Sequence, residues 1–152
     1  MIGFARIVMI GANFPGDIFL SKKILVVEDS FHLRELLGIS LTSLGWDPIL
    51  AESGRESLAK LERETPSVIL MDMGLPDMNG FELAAVLKRH RAYRKIPILG
   101  TTGYPAGIAR ERCLAAGCDS FIPKPFAFTV LQTRLTQLVH AERPGKMAPT
   151  GL

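Results

Sequence analysis

The feature that most constrains the fold is an alternation, from Lys22 onward, of short continuous apolar runs with longer segments of helical periodicity. The runs do not alternate with polar residues, as expected for parallel strands that are buried on both faces. They cover residues 24–27, 48–51, 68–71, 96–100 and 120–122. Because each run is shorter than an ordinary helix, the pattern predicts five strands.

A helical pattern follows each run, over residues 30–44, 54–64, 80–90, 105–117 and 126–141. In the first pattern, leucines at three- and four-residue spacing predict one apolar stripe, made of Leu33, Leu36, Leu37, Leu41 and Leu44. Ser30 or Asp29 can cap the start of this helix, and Gly45 can end it in a left-handed conformation. Five strand–helix units predict an α/β fold with a parallel sheet and helices on both faces.

The composition is that of a globular domain. The chain has 152 residues, of which 47% are hydrophobic and 22% charged, which fits one domain with a sizeable core. A net charge of +3 does not by itself imply a nucleic-acid partner. The densest basic stretch, residues 88–95, ends a helical pattern, where cations offset the helix dipole, with a partner-docking patch as the alternative. We therefore expect no direct nucleic-acid binding.

The two ends of the chain lie outside the strand–helix pattern, so the domain is predicted over residues 22–140. Residues 1–21 form an N-terminal extension whose apolar stretch is interrupted by Arg6 and is too short to span a bilayer. An over-long start, a short interfacial anchor and an extra packed strand all stay open for this extension, and a signal peptide fits poorly. Residues 141–152 are expected to be a flexible tail, too short for an output domain.

Two cysteines, Cys113 and Cys118, share one short stretch and lack metal-ligand spacing with any histidine pair. We expect them to be reduced, small and half-buried. Reduced cysteines are typical of a reducing compartment, which favours a cytoplasmic location.

Polar residues follow four of the five predicted strands: Glu28 and Asp29, Asp72, Thr101 and Thr102, and Lys124. Alone, each could be a helix cap, a turn residue, a loop hydroxyl or a surface charge. Ligands of parallel α/β sheets bind beyond the carboxyl ends of the strands, so we expect these side chains to meet at one edge. Three carboxylates that meet repel one another, and a divalent cation offsets that repulsion. Oxygen ligands without His or Cys indicate magnesium.

A carboxylate nucleophile, a metal ion, a lysine and a hydroxyl suit phosphoryl transfer. The metal and the lysine neutralise the phosphoryl oxygens in the transition state, and a hydroxyl or backbone N–H holds a further oxygen. The carboxylate attacks phosphorus in line and forms an acyl phosphate.

Residues 22–140 resemble the receiver domain of two-component response regulators. Four motifs in the family's order carry the resemblance: ILVVEDS at 24–30, VILMDMGLPDMNG at 68–80, IPILGTTG at 96–103 and FIPKPF at 121–126. The resemblance implies a doubly wound, flavodoxin-like fold, with five helices around a five-stranded parallel sheet of strand order 2-1-3-4-5.

The resemblance also implies a role for each acid of the strand ends. Asp72 matches the phosphorylated aspartate. Asp29 matches the acid that binds Mg²⁺ directly, and Glu28 its partner, which often acts through water. The backbone carbonyl of Gly74 matches the remaining protein ligand of the metal.

Three further residues match the family's switch and phosphate-binding positions. Thr102, which directly precedes a small residue, matches the switch hydroxyl better than Thr101 does. Lys124 matches the lysine that pairs with the phosphate, and its bond to Pro125 is expected to be cis. Phe121 matches the aromatic that changes rotamer with Thr102; lacking a hydroxyl, it would depend on burial.

Two positions are individual to this chain and are expected to tune the lifetime of the acyl phosphate. Gly74 leaves room beside the phosphoryl group for water or a partner, whereas Tyr104 can shield it. Because an open glycine and a shielding tyrosine act oppositely, the direction of the tuning stays open.

The function that the resemblance implies is that of a single-domain receiver rather than a classical enzyme. It would take a phosphoryl group from a sensor histidine kinase or a histidine phosphotransfer protein. It would then present a changed surface, formed by the fourth helix, fifth strand and fifth helix, to an unknown downstream protein or to a second copy in a phosphorylation-linked homodimer.

Two alternatives stay open beside this interpretation. One is a degenerate receiver that binds partners without phosphorylation, although loss of Asp72, Asp29 or Lys124 would mark it and all three are present. The other is a phosphatase resembling the haloacid dehalogenases, which carry an Asp-x-Asp motif after the first strand. Here Glu28-Asp29 follows that strand instead.

Overall fold

A computed structural model of the chain describes residues 7–8, 19–20, 22–103 and 105–141. Within these ranges, seven strands and five helices follow one another in the order β1 (Ile7–Val8), β2 (Phe19–Leu20), β3 (Lys22–Val27), α1 (Phe31–Ser43), β4 (Trp46–Ala51), α2 (Gly54–Leu61), β5 (Val68–Asp72), α3 (Gly80–Arg89), β6 (Ile98–Thr102), α4 (Ala106–Ala115), β7 (Ser120–Pro123) and α5 (Phe128–Ala141).

Five of these strands form one parallel sheet in the order β4-β3-β5-β6-β7. Numbered from β3, this is the order 2-1-3-4-5, and the predicted doubly wound fold with five helices is confirmed. In the register of the strands, Val27 pairs with Met71 and Asp72 pairs with Thr101. The residues that follow β3 and β5 therefore meet at one edge of the sheet.

Successive residues of the central strands face opposite layers, and both layers are apolar. On β5, Ile69 and Met71 join the core cluster on the side of α2, α3 and α4, while Val68 and Leu70 join the cluster on the side of α1 and α5. Helices therefore cover both faces of the sheet, which is why the strand sequences are continuously apolar.

The predicted boundaries and burial need several corrections, and the strands predicted at 24–27, 48–51, 68–71 and 120–122 are each one or two residues longer than expected. The strand expected at 96–100 is Ile98–Thr102, so both threonines lie inside β6 rather than after it. On α1, Leu36 and Leu44 are exposed, because only a narrow part of the leucine stripe faces the sheet. Of the two candidate caps, Ser30 is the N-cap of α1, with its hydroxyl accepting from the Leu33 N–H at 3.4 Å. The remaining helices begin or end one to three residues inside the predicted ranges.

Both cysteines are buried and free, rather than half-buried as expected. A hydrogen bond with Cys113 and burial raise the pKa of the Cys118 thiol, so this thiol stays protonated and acts as a core residue. The packing of Cys113 also explains why residue 100 is a glycine, because a Cβ at that position would overlap the Cys113 sulfur.

The N-terminal extension contributes one antiparallel strand pair, in which Ile7 pairs with Leu20 and Val8 with Phe19. This pair is a sheet of its own and does not extend the five-stranded sheet. Among the helices of the described ranges, none is both long and apolar enough to cross a bilayer. The rest of residues 1–21, Tyr104 and residues 142–152 lie outside the described residues, and the role of the extension stays a prediction.

The start of α2 is capped twice, once from its own sequence and once from the loop after β5. The Ser53 hydroxyl accepts from the Glu56 N–H at 3.1 Å. The two carboxylate oxygens of Asp77 accept from the Gly54 and Arg55 N–H groups, each at 2.9 Å. Asp77 thus ties the loop that follows Asp72 to a neighbouring helix.

Replacing Asp77 with Asn is expected to lower the free energy of unfolding at neutral pH, by an amount that shrinks in acid. Hydrogen bonds, chiefly from the Arg55 N–H, hold the pKa of Asp77 below its ordinary value of 3.8. A group whose pKa is lower in the folded state contributes stability above its unfolded pKa, and this is lost as the pH falls through the folded pKa. Urea unfolding of wild type and variant at neutral pH and below pH 3.8 checks this. Asp47→Asn on β4 is the control, and an Asp77→Asn deficit independent of pH would contradict a role for the charged cap.

Candidate metal centre and phosphoacceptor

Three carboxylates converge at the carboxyl edge of the sheet. Glu28 and Asp29 directly follow β3, and Asp72 is the last residue of the neighbouring strand β5. One oxygen from each lies within 4.8 Å of the others. Glu28 and Asp72 are buried, at 2% and 6% exposure, while Asp29 is exposed at the mouth of the cluster. The sequence prediction that these acids meet agrees with this geometry.

Backbone hydrogen bonds hold the two buried carboxylates in place. The Glu28 N–H donates to the Ala51 carbonyl at 3.0 Å, and Glu28 Oε2 accepts from the Ser30 N–H at 3.0 Å. Asp72 Oδ1 accepts from the Gly74 N–H at 2.9 Å. Each carboxylate therefore keeps a second oxygen for other partners.

Lys124 binds that second oxygen of both buried acids. Its Nζ lies 2.6 Å from Glu28 Oε1 and 3.0 Å from Asp72 Oδ2. The backbone N–H of Lys124 donates to the Thr102 carbonyl at 3.0 Å, which fixes the lysine beside β6. The bond from Lys124 to Pro125 is cis, as expected from the motif.

The charges of the cluster do not balance, and this fits a divalent cation. Burial raises the pKa of Glu28, and hydrogen bonds from Lys124 and Ser30 offset that effect only in part. Burial pulls the pKa of Lys124 down, but its bonds to Glu28 and Asp72 raise the pKa on balance, so the ammonium persists. One ammonium faces three carboxylates whose donor atoms are all hard oxygens, the set that Mg²⁺ prefers.

The two threonines of β6 face opposite sides of the sheet. Thr102 lies two residues after Gly100 on β6, so the two residues face the same side of the sheet. Gly100 pairs with Phe121, which is buried in the core cluster beneath α4. Thr101 pairs with Asp72 across the strands, and its buried hydroxyl has no hydrogen-bond partner among the residues that the structure describes. Thr102 and Phe121 are therefore the pair that lies between the acidic cluster and α4.

Replacing Thr101 with Val is expected to raise the free energy of unfolding by about 1 kcal/mol, because a buried hydroxyl without a partner costs its desolvation. The change keeps the shape of the side chain, so the sheet need not move. Thermal and urea unfolding measure the gain, with Thr102→Val as the matched comparison that should not stabilise. A loss of stability in Thr101→Val would show that this hydroxyl has a partner in solution.

One residue of the site was missed by sequence reasoning. The Arg34 guanidinium donates to the carbonyl oxygens of Glu28 at 2.9 Å and Asp29 at 3.3 Å, and it lies 3.8 Å from the Glu52 carboxylate. It thus holds the backbone of the acidic pair against α1. An arginine in a predicted amphipathic helix is normally interpreted as an exposed surface charge. The sequence therefore gives no indication that Arg34 binds these carbonyl groups.

Of the two residues predicted to tune the acyl-phosphate lifetime, the structure describes Gly74. Gly74, two residues after Asp72, is exposed, and its N–H donates to Asp72 Oδ1. Tyr104 lies outside the described residues, so the predicted shielding of the phosphoryl group stays a prediction.

The family model of the response regulator receiver domain matches residues 24–136. The transcriptional regulatory protein TrcR of Mycobacterium tuberculosis is 32% identical over 130 residues, which are 83% of this chain and 50% of that protein. The chain spans about half the length of the curated relatives that it matches.

Solved structures give the same result. The chemotaxis response regulator CheY4 of Vibrio cholerae superposes with a TM-score of 0.72 and 30% identity, covering 78% of this chain and 98% of that one. The receiver domain of the sensor histidine kinase PA1611 of Pseudomonas aeruginosa superposes with a TM-score of 0.73 and 30% identity, covering 79% of this chain and 98% of that one. That structure is described with a magnesium ion coordinated in its active-site cleft. With its matching fold and family model, this chain belongs to the response regulator receiver domains of two-component signalling.

Proposed function

We propose that Asp72 accepts a phosphoryl group from a phosphohistidine on a sensor histidine kinase or a histidine phosphotransfer protein. The single observation that carries this proposal is the position of the Asp72 carboxylate. It lies against the Lys124 ammonium on one side and within reach of two further carboxylates on the other. A phosphoryl group on Asp72 would thus have a cation and a metal-binding cluster beside it.

Mg²⁺ is the cation that the cluster would hold. Asp29 and Asp72 would bind it directly, Glu28 through water, and Gly74 through its backbone carbonyl. When bound, the ion neutralises phosphoryl oxygens and offsets the repulsion between the carboxylates.

In the transfer itself, a carboxylate oxygen of Asp72 attacks phosphorus in line. The new P–O bond forms as the P–N bond of the donor breaks, and the imidazole nitrogen keeps the electron pair. Lys124 stabilises the charge that develops on the phosphoryl oxygens, since its ammonium already lies 3.0 Å from Asp72. The Gly74 N–H orients the carboxylate by binding its other oxygen.

The output is a shift between two conformations rather than a chemical product released from a substrate. The Thr102 hydroxyl would turn toward the phosphoryl group, and Phe121 would move in the space beside it. Both residues border α4 and β7, so the surface formed by α4, β7 and α5 would change for a downstream protein or a second copy of the chain. Gly74 and Tyr104 would set how long the acyl phosphate lasts.

Incubation with acetyl phosphate and Mg²⁺, followed by intact mass, tests the phosphoacceptor proposal. Wild type is expected to gain one phosphoryl group, Asp72→Asn none, and EDTA should prevent the gain. Asp47→Asn, on the amino-terminal half of β4, is the control that should label as wild type does. Absence of labelling in wild type would favour a degenerate receiver, and rapid phosphate release from monoesters would favour a phosphatase.

A further inference from the structure

A groove lies between the loop after β5 and helix α4, beside the acidic cluster but outside it. Its cavity volume is about 600 Å³, and Gly74 is one of its lining residues. The walls are mainly apolar, and their lining residues include Met73, Met78, Phe81, Ile108, Ala109 and Arg112. We call this cavity the α3–α4 groove. Its volume falls in the range of functional binding clefts.

The shape of the groove suits a helix. One wall is formed by Pro105, the N-cap of α4, and by residues 108, 109 and 112 of the helix, which together extend about 10 Å along its axis. An amphipathic partner helix presents apolar side chains at matching intervals over two turns. The partly buried Met78 in the wall can repack around such side chains, because the thioether chain is flexible.

Exposure of the rim residues supports a binding role. Ile108 is 69% exposed, although it lies on the side of α4 that faces the groove. A single exposed apolar side chain is common on protein surfaces and has no meaning by itself. Beside an apolar cleft, however, it extends the apolar surface available to a partner.

The positive charge of Arg112, one of the lining residues, favours a partner that carries a carboxylate. The Arg112 guanidinium lies 4.2 Å from the centre of the Phe81 ring, and no ion pair within the described ranges includes it. The carboxylate of Asp77, which also lines the groove, is already bound to two N–H groups of α2. The groove therefore offers an apolar floor with one cation held in place by stacking.

We propose that the α3–α4 groove binds an amphipathic helix of a partner protein, with apolar side chains between Met78 and Ile108 and a carboxylate on Arg112. The site is distinct from the surface formed by α4, β7 and α5. Because Gly74, two residues after Asp72, is one of the lining residues, a helix seated in the groove would lie beside the phosphoacceptor.

This position gives the groove a regulatory consequence, which rests on the proposed phosphoacceptor function. A seated helix keeps water from the acyl phosphate at Asp72 and lengthens its lifetime, by about fivefold for a modest coupling.

Selection from a phage-displayed library of amphipathic peptides on the unphosphorylated full-length chain tests the docking directly. The selected peptides are expected to carry acidic residues, and their affinity, measured by fluorescence polarisation, should fall about tenfold in Ile108→Glu and in Arg112→Glu. A lysine in place of the peptide's carboxylate should restore binding to Arg112→Glu. Val130→Glu, at a 46% exposed position on α5, is the matched control and should bind as wild type does.

Several outcomes would overturn the proposal. They are a library that yields no binder, binders insensitive to Ile108→Glu, and binders lost equally in Val130→Glu. Self-association that Ile108→Glu abolishes would assign the groove to a second copy instead. Peptide docking is measured on the unphosphorylated chain, so a failure to label Asp72 would not contradict the docking proposal. An acyl-phosphate lifetime that bound peptide leaves unchanged would contradict only the proposed effect of docking on that lifetime.

Discussion

Lys124→Met is expected to slow phosphorylation of Asp72 by about 10²–10³-fold, the loss typical when one charge-stabilising donor is removed from a transition state. The Lys124 ammonium lies 3.0 Å from Asp72 Oδ2 and 2.6 Å from Glu28 Oε1, so its loss also leaves two buried carboxylates facing each other. Methionine keeps the length of the apolar stem. The initial rate of mass gain with acetyl phosphate at saturating Mg²⁺ measures the effect.

Lys60→Met is the matched control for this experiment. Lys60 is a lysine of α2 whose nearest carboxylate is Glu56 at 4.0 Å on the surface, so the rate should not change. Thermal unfolding of both variants shows whether the fold survives. If folded Lys124→Met were phosphorylated as fast as wild type, the lysine would have no part in the transfer.

Gly80→Ala is expected to destabilise the domain by about 3 kcal/mol, the upper range for overpacking a filled site. A Cβ at Gly80 would lie 2.5 Å from the Met73 Cα and 2.9 Å from the Asp72 carbonyl oxygen, which are backbone atoms that cannot rotate away. The turn that follows the phosphoacceptor would have to shift. Urea unfolding gives the loss of stability, and the labelling rate of the surviving folded fraction should fall with it.

The chain offers an opposite control for Gly80 within another helix. A Cβ at Gly107 on α4 would meet nothing within 4 Å. Gly107→Ala should therefore stabilise the domain by about 1 kcal/mol, since alanine favours the helix over glycine. Equal effects of the two substitutions would show that helix propensity, and not the close approach to Met73, decides the result.

The sheet was predictable because its signal is local and repeated. Each central strand, such as β5, is apolar on both faces, and a short, continuous apolar run of this kind is typical of a buried parallel strand. The end of β6 was misplaced by two residues because Thr101 and Thr102 carry no apolar signal, although both are buried. Burial of polar residues at a strand end depends on packing against α4 and α5, which no short window of sequence contains.

The acids and the lysine of the site were predictable from position, since parallel strands bring their carboxyl ends together. Individual side-chain contacts across turns and between separate segments could not be predicted in this way. Arg34 reaches the backbone of Glu28 from α1, and Asp77 reaches α2 from the loop after β5. The α3–α4 groove is likewise formed by two segments whose residues have no common pattern.

Unlike the apolar core around them, the buried acids of the site carry charge that a bound cation can stabilise. Burial raises the pKa of Glu28, which means that keeping this carboxylate charged lowers the stability of the folded chain. Ligands that bind only the folded state recover such a cost, so Mg²⁺ is expected to raise the melting temperature of wild type. The same addition should leave Asp29→Ala unchanged, because that variant lacks one direct ligand.

Chemical identification of the phosphorylated residue is the decisive experiment for the role of Asp72. After labelling with a phosphohistidine donor and Mg²⁺, borohydride reduces an aspartyl phosphate to homoserine, which peptide mapping by mass spectrometry can locate. We expect homoserine at position 72 in wild type and at no other position. Homoserine at Asp29 or elsewhere, or its absence from a chain that has gained the mass of a phosphoryl group, would contradict the assignment of Asp72 as the phosphoacceptor.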